Sequence, residues 1–240
     1  MKLLAIDSSG LVAAAALLDG DILVGESLIH NKKTHSQTLL PMIHDMLRMA
    51  EVDIKEVEAI AAAAGPGSFT GLRIGAATAK GLAQALDIPI AAVPTLEALA
   101  YNMAGADALV CPAMDARRNQ TYYGIYDVHG EIPVVVQEQT AAPVEDMVQQ
   151  INQLGKPIIF CGDGVPVFRS QLIQSVMVPY RFAPAGTRYQ RASSVAVLGK
   201  IYLEKGMTVP AGEFAPIYLR MSQAERERME RNAPGSQLSD

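Results

Sequence analysis

A three-residue turn, Gly65-Pro66-Gly67, separates an alanine-rich apolar run from a glycine-punctuated segment, and this junction limits what the polypeptide can become. Glycine reaches positive φ without steric cost, and the proline has a fixed φ and no amide donor, so neither a strand nor a helix passes through comfortably. Beyond the turn, Ser68 or Thr70 can cap the first free N–H groups of a helix. Leu72, Gly75, Ala79, Leu82 and Leu86 then follow with a three-four spacing that predicts one helical stripe. Gly71, Gly75 and Ala79 stack on that helix, which removes bulk and predicts the close approach of a second helix. A glycine inside a helix costs about 1 kcal/mol relative to alanine, so Gly71, Gly75 and Gly81 need an offsetting contact.

The same turn also has a chemical reading. A glycine-rich loop opening a helix aims N–H groups and the positive end of the helix dipole outward, an arrangement that suits a phosphate. No Gly-Lys-Ser/Thr follows, however, and GPGSFTG places its third glycine one residue late for the dinucleotide fingerprint. Asp7, at the tip of an apolar strand that ends in Ser8-Ser9-Gly10, can hold a metal, approach a phosphate or cap its own turn, and capping is the favoured reading. Asp7, Gly65 and Gly67 are therefore kept as a possible vestigial phosphate loop.

A chain of 240 residues, half of them apolar, can bury a sizeable core as one large domain or two ordinary ones. No apolar run reaches the ~18 residues of a membrane helix, and Asp7 interrupts the run at the start, so the expectation is a cytoplasmic protein with no membrane contact. Two cysteines, Cys111 and Cys161, do not make a disulfide framework. A formal charge of −5 argues against broad electrostatic binding of nucleic acid by this chain alone.

In chain order, periodicity predicts strands at 3–6, 10–18 and 22–29, a helix at 36–50, a strand at 57–64, the helix after the turn, a strand at 88–93 and a short helix at 96–103. The helix at 36–50 carries Leu39, Leu40, Met42, Ile43, Met46, Leu47 and Met49 over more than one face. Part of it is therefore expected to be covered from outside its own domain. Met42, Met46, Met49 and Met103 suit an adaptable contact surface, and equally an ordinary core. Pro41 should bend the helix slightly.

The second half repeats the scheme, with strands at 108–114, 120–128 and 132–139, a helix at 144–154, a strand at 157–161, a helix at 165–174, a short strand at 177–179 and a helix at 193–204. Each half thus reads βββαβαβα. The expectation is an α/β chain with a duplicated ribonuclease-H-like, actin-like fold: residues 1–105 as one lobe, 106–220 as the other, and 221–240 as a charged, disordered tail. Arg117, Arg118 and Asn119 form a small basic turn, taken as a solvated hairpin tip.

Six segments carry a family resemblance: IDSSG at 6–10, HSQTLLPMI at 35–43, GPGSFTGLRIG at 65–75, VPTLEALA at 93–100, DARRNQTYYGIY at 115–126 and PIYLR at 216–220. Together they resemble the TsaB (YeaZ) family, partner subunits of the bacterial machinery that threonylcarbamoylates adenosine 37 of tRNAs reading ANN codons. The resemblance implies a non-catalytic subunit with no cofactor of its own, which binds and activates its paralogue TsaD, joins the ATPase TsaE in a larger complex acting on tRNA, and pairs with its own copy when TsaD is missing. In TsaD a V-N-H-x-x-x-H motif supplies two metal-binding histidines; aligned on the preceding strand end, Thr95 and Leu99 stand at those places here. Neither replaces an imidazole, so no metal and no catalytic residue is assigned. Docking is expected through Leu39, Met42, Ile43 and Met46 of the first helix and Leu72, Arg73, Gly75, Ala76, Ala79 and Leu82 of the second. The alternative is a stand-alone ATP-dependent phosphotransferase using Asp7, the 65–71 turn and a second glycine loop at Cys161-Gly162-Asp163-Gly164.

Overall fold

The computed structural model describes residues 1–31 and 34–220; the segment 221–240, expected to be a disordered tail, lies outside the described residues. The first half forms β1 (Lys2–Asp7), β2 (Ala13–Asp19), β3 (Ile22–Ile29), α1 (His35–Met49), β4 (Ala59–Gly65), α2 (Phe69–Leu86), β5 (Ile90–Pro94) and α3 (Thr95–Tyr101). The second forms β6 (Leu109–Asp115), β7 (Gln120–Asp127), β8 (Val134–Pro143), α4 (Val144–Leu154), β9 (Ile158–Cys161), α5 (Gly164–Ser175), β10 (Tyr180–Phe182), α6 (Ala185–Arg188) and α7 (Ala192–Glu204). The repeated βββαβαβα order is present. Its least accurate stretch is the short strand expected at 177–179, which forms at β10 instead, and the four-residue α6 has no apolar period that would reveal it.

Each half builds a five-stranded mixed sheet, ordered β3-β2-β1-β4-β5 in the first lobe and β10-β9-β6-β7-β8 in the second. The leading three strands are antiparallel, and the strands that follow a helix join in parallel. Alternation along β1 sends Leu4 and Ile6 to one face of the first sheet and Leu3 and Ala5 to the other. Helices α1 and α2 cover the first of these faces with Leu39, Ile43, Met46, Leu47, Ala76, Ala79 and Ala83.

The opposite face is covered by α7, the last helix of the second half. Its Ala192, Val195, Ala196 and Leu198 pack on Ala14, Ala16, Ala59, Ala61 and Val93, and Gly199 sits directly against the side chain of Ala61. The alanine-rich strands are the physical reason, since small side chains let a helix lie close to the sheet. The chain thus returns to the first sheet after the second: α7 packs on it, Val209 bridges to Ile90, and Phe214 enters the first core. In exchange, Leu96, Leu99 and Ala100 of α3 pack on Val110, Met114, Tyr126 and Ile159 of the second sheet. The two halves hold one another through these exchanged helices. Glu97 and Tyr202, one from each, meet in a buried 2.8 Å hydrogen bond.

On α1 and α2 the apolar stripes face the core of the first lobe. Leu39, Met42, Ile43, Met46, Leu72, Gly75, Ala76 and Ala79 all point inward and are buried. Leu82 is half-buried against the same core, and of the ten expected docking residues only Arg73 is exposed. The apolar face of α1 looked too wide for one domain because the first sheet, flanked by α2, accepts all of it except Leu40 and Met49. The helix runs through Pro41 without ending.

Candidate functional site

Between the lobes lies a cleft of about 560 Å³, floored by the end of β1 and the turn before α2 on one side, and by the ends of β6 and β9 on the other. Asp7 closes β1. Its buried carboxylate accepts hydrogen bonds from the amide of Ser9 at 2.8 Å and the hydroxyl of Ser9 at 2.6 Å, which folds residues 7–9 into a tight turn. This is the capping role read from the sequence.

The turn at 65–68 is braced against that first turn. Ser68 caps α2 by accepting from the amide of Gly71 at 3.3 Å, while its own amide donates to the carbonyl of Ser9 at 2.7 Å. The hydroxyl of Ser8 donates to the carbonyl of Gly71 at 2.8 Å. A Cβ on Gly67 would strike the Ser9 carbonyl, and one on Gly71 the Ser8 carbonyl. Gly65, at φ 113°, donates its amide to the Thr95 hydroxyl at 3.0 Å and lies against the backbone of Ile217. The glycines are there for backbone packing, and the amides of Gly65 and Ser68 are already bonded within the chain. The second glycine turn is built alike: Gly162, at φ 100°, packs on the Ala113 carbonyl and donates to that of Arg188 at 2.7 Å.

The segment after α7 roofs the cleft. Ile217 donates to the carbonyl of Ala64 at 2.6 Å, Tyr218 packs its ring 4.7 Å from that of Phe69, and Arg220 donates to the carbonyls of Ala116 and Arg117 in the other lobe. Arg73 lies 4.0 Å over the Phe69 ring and reaches the Tyr218 hydroxyl at 3.4 Å. Aperiodic sequence concealed this strap; the only hint of it was the PIYLR segment, whose partners lie more than a hundred residues away.

On the second lobe's side of the floor, Asp115 and Asp163 line the cleft, with Asp7 buried behind the first turn. Asp163 accepts the amide of Asp115 at 3.2 Å, and Asp115 in turn pairs with Arg117 at 3.0 Å. Burial pushes both Asp7 and Asp163 up to about 6. The Ser9 bonds and nearby His35 partly oppose this for Asp7, whereas Asp163 adds to it. Among the described residues no three of His, Cys, Asp and Glu gather as a metal cluster. Thr95 and Leu99 are both buried, the first engaged by Gly65 and the second packed in the core beneath the second sheet.

These features define a two-lobed, actin-like α/β protein whose interlobe cleft is shaped by its own backbone. The fold alone is shared with an activator of 2-hydroxyisocaproyl-CoA dehydratase from Clostridium difficile, at 8% identity and a TM-score of 0.51, covering 86% of this chain and 97% of that one. YeaZ from Pseudomonas aeruginosa is closer, with a TM-score of 0.76 and 27% identity over 91% of this chain and 99% of its own. The family model for tRNA N6-adenosine threonylcarbamoyltransferase, TsaD, matches residues 25–228. TsaB of Bacillus subtilis, a tRNA threonylcarbamoyladenosine biosynthesis protein, is 36% identical over 96% of this chain and 99% of its own length. The chain belongs to this family, and within it to the TsaB (YeaZ) group.

Proposed function

We propose that this chain is a non-catalytic subunit that binds and activates TsaD for N6-threonylcarbamoylation of adenosine 37 in ANN-decoding tRNAs, alongside the ATPase TsaE. The observation that carries the reading is the engagement of the phosphate-loop amides by the chain's own backbone, with Ser68 N–H bonded to Ser9 and Gly65 N–H to Thr95. At the places where the resemblance expects two imidazoles, Thr95 accepts the Gly65 amide and Leu99 packs in the core. Family membership supports a role in the same modification.

The docking surface in this reading is the outward side of the helices already chosen. Arg73, Ala77 and Gly81 form the exposed row of α2, and Leu40 and Met49 are the exposed apolar residues of α1. A Cβ on Gly81 meets nothing within 4 Å, so the row is open to a facing helix. The self-pairing expected without TsaD uses the same open row. Ala77→Arg tests this: pull-down by TsaD should fall about tenfold or more while the melting temperature stays within a degree or two. Unchanged binding by a stable Ala77→Arg protein would place the partner elsewhere. Multiple turnover of ATP by the purified chain alone would overturn the non-catalytic reading.

A further inference from the structure

We infer that the mouth of the interlobe cleft is a contact surface for an unpaired RNA loop, with Tyr218 as a stacking platform and Arg117, Arg118 and Arg220 as its phosphate side. The inference rests on the tRNA reading above and adds a direct contact by this chain. Phe69, Tyr218, Arg117 and Arg220 all line one cleft, so an exposed aromatic ring and guanidinium groups converge from the two lobes. Phe69 carries both Arg73 and Tyr218, which leaves Tyr218 as the outermost ring, 40% exposed and steadied by Arg73. Aromatic faces bordered by arginines bind single-stranded nucleic acid because every base has a π-face and every nucleotide a phosphate.

The turn opposite is built to hold its arginines outward. Arg117, Arg118 and Asn119 have φ of 66°, 56° and 56°, three consecutive left-handed residues without a glycine. Arg220 fastens the turn by donating to the carbonyls of Ala116 and Arg117, and Asn119 ties it to Glu145 at 3.1 Å. Arg117 is 81% exposed although paired with Asp115, and Arg118 is exposed with no side-chain partner among the described residues. The net charge of −5 does not oppose this, because local cations at a rim act within a Debye length.

Within the cleft the chemistry points away from a free nucleoside triphosphate. The amides of Gly65 and Ser68 are engaged, and the carboxyls of Asp115 and Asp163 that line the floor repel a bare phosphate there. A base stacked on Tyr218 with its backbone on the arginine rim meets neither obstacle.

The test is fluorescence anisotropy of the full 240-residue chain with a labelled RNA hairpin bearing an unpaired loop, and with the same strand annealed to its full complement, across a salt series. The hairpin should bind more tightly than the duplex. Arg118→Gln should weaken hairpin binding several-fold and lower the salt slope by about 0.7, the value for one phosphate contact on a single strand. Tyr218→Leu should weaken it about fivefold or more without changing the slope, and Tyr218→Phe should restore it. Melting temperatures of the Tyr218 variants exclude a loosened strap as the cause. No hairpin binding at low salt, a preference for duplex, equal affinities across the variants, or displacement of the hairpin by equimolar ATP would each overturn the inference. TsaD binding is measured separately, so RNA binding can fail while the subunit reading stands.

Discussion

Gly75 lies directly against the hydroxyl of Ser8: a Cβ built on the glycine would sit 2.5 Å from Ser8 Oγ. The small-residue row on α2 therefore lets the helix settle onto the turn after β1, and no second protein need enter there. That contact fixes the bottom of the cleft, because the same Ser8 hydroxyl donates to the carbonyl of Gly71 one helical turn earlier.

Gly75→Leu should consequently fail by unfolding. Intrinsic propensity favours leucine by up to ~1 kcal/mol, but the side chain has no room without displacing Ser8 or α2, an overpacking penalty of about 1–3 kcal/mol or more. The measurable result is a melting temperature lowered by several degrees, together with loss of any bound partner. A Gly75→Leu protein as stable as the parent would show that the row is not packed as described.

Asp7 and Asp163 make stability depend on pH in the sense opposite to most carboxylates. With its folded pKa raised from 3.8 to about 6, Asp7 binds a proton in the native state that the unfolded chain has already lost between those values. Stability falls as pH rises through that window, and the full penalty of the buried charge is present above about 6. Asp7→Asn keeps the oxygen that accepts from Ser9 and removes the charge, so at pH 7.5 the variant should gain about 1–3 kcal/mol and its stability should vary less between pH 4 and 6.5. Chemical denaturation across that range reads both effects; a destabilised variant with an unchanged pH slope would refute the assignment.

Glu26 shows the usual sign. It accepts from Arg191 and from the amide and hydroxyl of Ser193 at 3.0 and 2.8 Å, tying β3 to the first turn of α7. Burial pushes its pKa up, but the Arg191 and Ser193 bonds together hold it below the ordinary glutamate value. Its contribution is present above the unfolded pKa and disappears as pH falls through the folded one. Glu26→Ala should cost about 2–3 kcal/mol at neutral pH and less in acid, because Arg191 and the helix amide lose their acceptor. Equal losses at pH 7 and pH 3.5 would count against an ionised tie.

The fold was legible in the sequence where period and punctuation agree. Alternating strands, the Gly65-Pro66-Gly67 turn and the Ser68 cap carried the duplicated architecture nearly residue by residue. What periodicity could not show is which sheet a helix lies on. The apolar faces of α3 and α7 read the same whether each packs at home or across; three-dimensional contacts such as the fit of Gly199 to Ala61 and the packing of Leu96 and Leu99 on the second sheet reveal the exchange. The stripe of Leu72, Gly75 and Ala79 is legible as a stripe, but small residues signal close approach without saying whose backbone approaches, and at Gly75 it is Ser8 of this chain. The Tyr218–Phe69 pair and the Arg220 clasp depend on contacts over long sequence separation, which spacing along the chain does not encode.

One reconstitution tests the subunit role most directly. Purified TsaD, TsaE, an ANN-decoding tRNA and the activated threonylcarbamoyl donor are combined with and without this chain, and modified adenosine is counted per TsaD while ATP turnover by the chain alone is followed in parallel. The predicted result is repeated modification only when the chain is present, no turnover by the chain alone, and loss of stimulation with Ala77→Arg. Full modification by TsaD and TsaE without the chain, or sustained ATP turnover by the chain without TsaD, would contradict it.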